Sequence, residues 1–599
     1  MDAAQLGPEA RAAALDRMAS ERFDVIVIGG GVTGTGAAVD AATRGLSVAL
    51  VEQRDWASGT SSRSSKLIHG GLRYLEQFDF GLVFEAKREQ KLMLETLCPH
   101  LVHPVSFLYP LFHSVWERAY VGAGVLLYDL MSGHRLLPRH RHLGRRRALQ
   151  LFPSLRGSGI KGAIVYADAQ VDDARHTLAL ARTAAQHGAA LASSARVEDF
   201  ILTGSRVSGV RVRCLESGRE IALRGRQVVN ATGVWTDELQ AHAGRGRIHV
   251  RASKGVHLVV PRDRIHGDAG LILRTEKSVL FVIPWKSHWI IGTTDTDWNL
   301  DLAHPAASRS DLDYLLERVN AVLAEPLTRD DIEGVYAGLR PLLQGETADT
   351  SELSRKHAVS QSVSGLITVA GGKYTTYRVM ARDAIDLVAR GLEKRVPESC
   401  TDGIPLVGAP GHAGFWNRRQ NLADESGLHV TQIEHLLSRF GSRIEELLAL
   451  IEDRPALAEP IPGAPTYLCV EALYAASHEG ALHLEDVLTR RTRISIETFD
   501  RGVRAAETVA TLMGEVLGWD AATRERELTH YEARVRAERE SQTQPDDRTA
   551  DAARLGAPDG RLGARAGGSL LHLADRRGGE RRAGGQTREP GESGGETSS

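Results

Sequence analysis

The 599-residue sequence predicts an α/β fold: a Rossmann-like dinucleotide-binding domain interleaved with a mixed-sheet substrate domain, then a C-terminal helical domain. Three observations predict it. Residues 23–52 run as buried strand, glycine turn, small-residue helix and second buried strand. Short β-rich runs recur from residue 209 to residue 372, with helical stretches such as "DDARHTLALARTAAQHG" and "RSDLDYLLERVNAVLAE" between them. Beyond about Ser399, in "TQIEHLLSRFGSRIEELLALIE" and "TVATLMGEVLGW", apolar residues fall at three- and four-residue intervals.

These patterns divide the chain into an N-terminal extension (1–22), a dinucleotide-binding domain with interleaved substrate-binding segments (23–398) and a helical domain (399–540). Residues 541–599, rich in Gly, Arg, Glu, Asp and Ser, read as a disordered tail. Hydrophobic residues at 42% and charged residues at 25% are ordinary globular values. A formal net charge of -2 gives no global reason to expect nucleic acid. Cys98, Cys214, Cys400 and Cys469 show neither a CxxC nor a metal spacing, which suits free thiols in a reducing cytoplasm and no metal centre. The charged N-terminus lacks the apolar core of a signal peptide. No apolar run reaches the ~18 residues that span a bilayer. The nearest, "AYVGAGVLLYDLM" (119–131), contains Asp129, so any membrane contact is expected to be peripheral.

The first strand, "FDVIVIG", leads into Gly29-x-Gly31-x-x-Gly34. In such a loop the first glycine makes the tight turn and the second admits a pyrophosphate to the backbone. The third lets helix and strand pack closely, while the helix N-terminus presents amide donors. The second strand, "LSVALVE", ends on Glu52, placed to hydrogen-bond an adenosine ribose. NAD and FAD both use this geometry. Two later glycine turns favour FAD: Ala231-Thr232-Gly233 after "QVVN", and Gly371-Gly372-Lys373 after "LITVA", where a following helix would face a flavin.

One stretch has no period at all: "SSRSSKLIHGGLRYLE" (61–76). Together with "DDAR", "VNATGVW", "KGVHLVVPR", "FVIPW", "IIGTTDTD", "GLRPL" and "GGKYTTYR", it resembles the FAD-dependent sn-glycerol-3-phosphate dehydrogenases, within the glycine-oxidase/D-amino-acid-oxidase superfamily. The likeness runs from about Asp24 to Arg382 and, more weakly, to about Glu540. It implies an FAD-binding domain of the glycine-oxidase/D-amino-acid-oxidase type. Thr60, Ser61, Ser62, Ser65 and Lys66 would approach the FAD phosphates and ribityl chain, with Lys373 and Thr375 also on the cofactor side.

The resemblance further implies that Arg73 and Arg340 bind a substrate phosphate, supported by Tyr74 and Lys373. Arginine suits that task because its planar fork pairs with two phosphate oxygens while staying charged. His257 of "KGVH" is the first candidate for the base, since imidazole titrates near working pH, and His69 is the second; Lys373 completes the catalytic candidates. The implied reaction is oxidation of glycerol 3-phosphate to dihydroxyacetone phosphate, by hydride transfer from C2 to flavin N5. Electrons would pass to a membrane quinone from a cytoplasmic protein lying on the inner face of the cytoplasmic membrane. An oxidase using oxygen, an amine or amino-acid oxidase, and a flavin-binding regulatory protein are the alternatives; a homodimer is the assembly to test for.

Overall fold

The computed structural model describes residues 3–71, 79–113, 116–132, 136–244, 246, 248–274, 279–344, 357–557 and 561. Arg22–Ile28 sits at the heart of an eight-stranded sheet, and six of its seven residues are buried. A strand so enclosed has to be apolar on both faces, which is why it reads as an unbroken run rather than an alternation. Its parallel neighbours are Val48–Val51 and Glu220–Asn230, followed outward by Ala190–Ala192 on one side and Leu366–Gly371 on the other. Ile28 lies level with Val51 and Asn230, so the three strands end together. Gly29, Glu52 and Ala231 therefore emerge at one carboxyl edge, where open α/β sheets bind their ligands.

The helix Val32–Thr43 packs beside Asp173–Gln186 and Tyr377–Arg390. That contact is close: a Cβ on Gly36 would stand 2.9 Å from the Tyr377 ring. The helix Pro8–Ser20 packs against the strands Ala190–Ala192 and Glu220–Asn230, burying Ala14, Leu15 and Met18, so the N-terminal extension is built into the fold.

A second, ten-stranded sheet carries the substrate side. Val250–Pro261 pairs antiparallel with Gly334–Leu343 over ten positions and with His288–Gly292 on its other edge. Two of its long strands, Val102–Leu111 and Gly162–Val171, are not foreseen by the sequence reading. Pro104 and Pro110 disguise the first. They are tolerated because its outer neighbour, Gly270–Arg274, pairs only at Phe107 and Leu108. The helix expected over 309–325 stops at Asn320, whose side chain exchanges two 2.8 Å hydrogen bonds with the Leu327 backbone.

The C-terminal helices enclose their own core, from Leu422 to Val535. The long periodic stretch after His429 is two helices, Val430–Phe440 and Ile444–Asp453, divided where Gly441 turns at φ +60°. Helical structure does not end at Glu540, correcting the expected start of a tail at 541. Asp547–Arg554 forms a further helix, its Asp547 bonded to the buried Lys254 ammonium of the second sheet. Low hydrophobicity hid this element: Ala550 is its one fully buried apolar residue, and the Asp547–Lys254 ion pair ties it to the sheet.

Charge also fixes the helical domain to the flavin-side loops. Arg490 and Arg491 both reach Asp55, and Arg493 reaches Asp172 and Asp173 at 2.6 and 2.5 Å. All are buried. Such pairs add little net stability but define one geometry, since removing a single partner leaves a stranded charge.

Candidate active site

A single cavity of about 1150 Å³ runs from the carboxyl edge of the first sheet to the face of the second. That exceeds the ~300–1,000 Å³ of ordinary ligand clefts, as an extended dinucleotide plus a substrate requires. Gly29, Gly31, Glu52, Thr60, Ser61, Ser65, Ala231, Thr232, Gly233, Gly371, Gly372, Lys373 and Thr375 line it, with His69, His257 and Arg340. Segments hundreds of residues apart thus meet in one groove.

At the nucleotide end the walls are backbone. Gly29 turns at φ +110°, and Gly31 has only the Ser61 hydroxyl near the position of an added Cβ. Gly34 faces away from the cavity; a Cβ there would lie 1.9 Å from the Gly29 carbonyl oxygen, so its role is helix–strand packing. Ser61 Oγ accepts from the Val32 amide at the helix N-terminus (2.9 Å). Glu52 accepts from the amides of Gly30 (2.7 Å) and Arg54 (2.8 Å), while burial raises its carboxyl above the usual range. Gly233 turns at φ +61° with nothing within 4 Å of an added Cβ, which leaves open space beside the groove. A glycine-walled cradle with an acid at the second strand end fits FAD.

Two expected cofactor contacts need correction. Ser62 and Lys66 are buried behind the groove and do not line it. Lys66, at φ +58°, turns its ammonium to Asp173 Oδ1 (2.8 Å) and the Ser62 carbonyl (3.2 Å). Asp173 Oδ2 also accepts from the amide and hydroxyl of Ser64, and Arg493 donates to the Ser62 carbonyl. The serine-rich loop is thereby held from behind. A lysine completely enclosed by an apolar interior is stable only with such a partner.

The reacting end is made of side chains. His257 is held between Tyr336, stacked at 4.7 Å, and Gly292, where a Cβ would come within 2.3 Å of the imidazole. Its Nε2 lies 2.8 Å from Ser65 Oγ, and its Nδ1 is buried with no hydrogen-bond partner among the described residues. Burial, then the charges of Arg340 and Lys66, push this imidazole well below the ordinary histidine range. Arg340 is oriented by Thr293 Oγ1 (3.0 Å), the Thr294 carbonyl (3.1 Å) and Asp295 (3.3 Å). His69 lines the cavity with its ring edge-on to Phe281, and its backbone bonds Thr375 Oγ1. Arg73 and Tyr74 lie outside the described residues.

Sequence reasoning missed Asp295 and Thr293, which position Arg340, and Asp173, which restrains the serine loop. "GTTDTD" and "DDAR" were visible as motifs, but their partners lie far away in sequence.

An exposed helix closes the outer wall. Trp116–Ser132 lines the cavity with Tyr120, Val121 and Leu127, yet shows Leu130 and Trp116 to solvent at 72% and 63% exposure. Its inner face is anchored by the Tyr128 hydroxyl, which donates to Asp168 (2.7 Å) and accepts from the Gly70 amide (2.8 Å). Among the described residues no helix is long and apolar enough to cross a membrane.

Residues 24–378 match the family model of FAD dependent oxidoreductases, and residues 399–524 match that of the C-terminal domain of alpha-glycerophosphate oxidase. The chain is 59% identical over 560 residues to glycerol-3-phosphate dehydrogenase 2 of Mycobacterium tuberculosis, covering 93% of this chain and 96% of the relative. It is 36% identical to human mitochondrial glycerol-3-phosphate dehydrogenase, covering 87% and 74%. Its fold matches the glycerol-3-phosphate dehydrogenase of Bacillus halodurans complexed with FAD at a TM-score of 0.74 and 29% identity, covering 89% of this chain and 98% of that one. With the glycine cradle at one end of the cavity and the His257–Arg340 pair at the other, the chain belongs to the FAD-dependent glycerol-3-phosphate dehydrogenases.

Proposed function

We propose that the chain oxidises sn-glycerol 3-phosphate to dihydroxyacetone phosphate and passes the electrons to a membrane quinone. The observation that carries the reaction is a buried, uncharged imidazole sharing one cavity wall with an oriented guanidinium. Arg340, joined by Arg73 and Tyr74, anchors the phosphate dianion. His257, hydrogen-bonded through Nε2 to the cavity-lining Ser65 hydroxyl, is the base that takes the proton of the C2 hydroxyl. FAD would be held by Gly29, Gly31, Glu52, Ser61 and the turns at Thr232 and Gly372, and would supply the hydride acceptor. His69 and Lys373 line the same space and shape the substrate pocket.

The acceptor reading rests on the helix Trp116–Ser132. Its outward apolar side chains, with exposed Arg141, Arg145, Arg146 and Arg147 just beyond, suit a protein lying on an anionic membrane surface. Leu127 and Tyr120 would then connect that surface to the flavin cavity. This favours a quinone over oxygen.

Anaerobic addition of glycerol 3-phosphate to the purified holoprotein should bleach the flavin; an unchanged spectrum refutes the dehydrogenase. Reoxidation should be faster with ubiquinone or menaquinone analogues than with oxygen, and the reverse order would make the chain an oxidase. Sedimentation with anionic vesicles should weaken with salt, and binding indifferent to salt and lipid charge would remove the electrostatic part of the membrane reading.

A further inference from the structure

Behind the serine-rich loop, on the side away from the flavin cradle, lies a second and much smaller cavity of about 80 Å³. Five arginines line it, Arg63, Arg490, Arg493, Arg534 and Arg554, with one carboxylate, Glu538. Arg490 and Arg493 are neutralised by the carboxylates described above. The others are not so well served.

Arg63 donates to the Ala303 carbonyl (3.1 Å), a neutral acceptor that it shares with Arg54 (3.3 Å). Arg554, only 5% exposed, reaches the Ala557 carbonyl and a nitrogen of His304. None of these three guanidiniums has a carboxylate within ion-pair distance among the described residues. Arg534 leans on Glu485 at 3.4 Å, a carboxylate already engaged by Arg490, and on Glu538 at 4.0 Å. Its Nε and the Gln542 side-chain nitrogen at the rim are buried donors with no acceptor among the described residues. The crowding shows in Arg63: burial, and then the charges of Arg54 and Arg534, bring its guanidinium down to about 9. Buried cations without counterions are costly, and unused donors add to the cost. One anion would answer both.

We propose that this pocket binds a tetrahedral oxyanion of phosphate size, held by Arg63, Arg534, Arg554 and Gln542. The volume admits inorganic phosphate or sulfate and excludes a nucleotide. The ion would also brace the flavin loop from behind, because Arg63 lines both cavities and its carbonyl packs against Gly338, where a Cβ would come within 2.5 Å.

The test is thermal melting of the FAD-loaded full chain against inorganic phosphate, with chloride balancing ionic strength, in wild type and three variants. The substrate cleft is itself a phosphate binder on the function proposed above, so Arg340→Met separates the two sites. Wild type and Arg340→Met should both gain about 2 °C or more at saturating phosphate. Built on the Arg340→Met background, Arg554→Gln should lose that gain. Gln542→Glu on the same background, which brings a carboxylate to the rim, should melt higher without phosphate and respond little to it; this arm decides the matter if Arg554→Gln folds poorly. A full phosphate response in Gln542→Glu would overturn the proposal. So would a gain that disappears in Arg340→Met, since the ion would then be in the substrate cleft.

Discussion

The two ends of the large cavity are built from different materials. At the nucleotide end the groove is walled by amides, glycines, the Ser61 hydroxyl and one carboxylate, most of them within a few residues of three neighbouring strand ends. At the reacting end, His257, Arg340, Ser65 and Asp295 come from four segments and are oriented through one another. A backbone cradle tolerates the loss of one side chain, because its donors are peptide groups. A side-chain constellation does not. Substitutions at the reacting end should therefore lower turnover steeply with the flavin retained, while those at the cradle should loosen the flavin by moderate amounts.

The largest effect is expected from His257→Asn. Removing a positioned base typically costs about 10²–10⁴ in rate, and the flavin spectrum should remain that of the wild type. A variant that keeps its turnover would transfer the role of base to His69.

Arg340→Met comes next. Losing one partner of a phosphate dianion in a partly dry site costs about 2–5 kcal/mol, or roughly 30-fold to several-thousand-fold in kcat/KM. The comparison with glycerol, which lacks the dianion, sharpens it. Activity on glycerol 3-phosphate should fall steeply while the weak rate on glycerol barely changes. Equal losses on both would show that Arg340 supports the fold or the flavin instead.

Glu52→Ala tests the other end. If Glu52 is the ribose partner, its removal costs a charge-assisted bond worth roughly 1.5–3 kcal/mol, so FAD should bind about 10- to 150-fold more weakly and leave on dilution. Full occupancy after dilution would break the contrast between the two ends. Part of any loss would come through the loop itself, since Glu52 also holds the Gly30 and Arg54 amides.

The same contrast explains what could be read in the sequence. Gly29, Gly31, Gly34 and Glu52 were legible because the strand–turn–helix unit is local, its physics confined to thirty residues. The first sheet's central strands were legible too, being buried on both faces. Lys66 was misplaced because sequence shows a cation near a phosphate-binding loop but not the direction in which φ +58° turns it. Asp173 lies 107 positions from Lys66 and 320 from Arg493, so nothing local marks their meeting. The helix Asp547–Arg554 was passed over for a similar reason, its anchor Lys254 lying 293 residues away. Long-range electrostatics is the part of this fold that local pattern does not carry.

The smallest expected effect is a displacement in pH. In the free enzyme the His257 imidazole titrates well below its ordinary value, because burial and the charges of Arg340 and Lys66 oppose protonation. As the proposed base, it is therefore competent where a solvent-exposed histidine would already be half protonated. The acid limb of kcat/KM, which reports the free enzyme, should lie below pH 6.5, with activity held as the pH falls through that value. Arg340→Met removes one of the opposing charges. Protonation then becomes easier, the imidazole pKa rises, and the acid limb should move to higher pH. It should stay below the ordinary value, since burial, the largest cause, is unchanged. The displacement can be read on the residual activity of the variant, independently of its size. An acid limb that stays in place would mean that Arg340 and His257 do not share an electrostatic environment, and the reacting end would then have to be described as two separate sites.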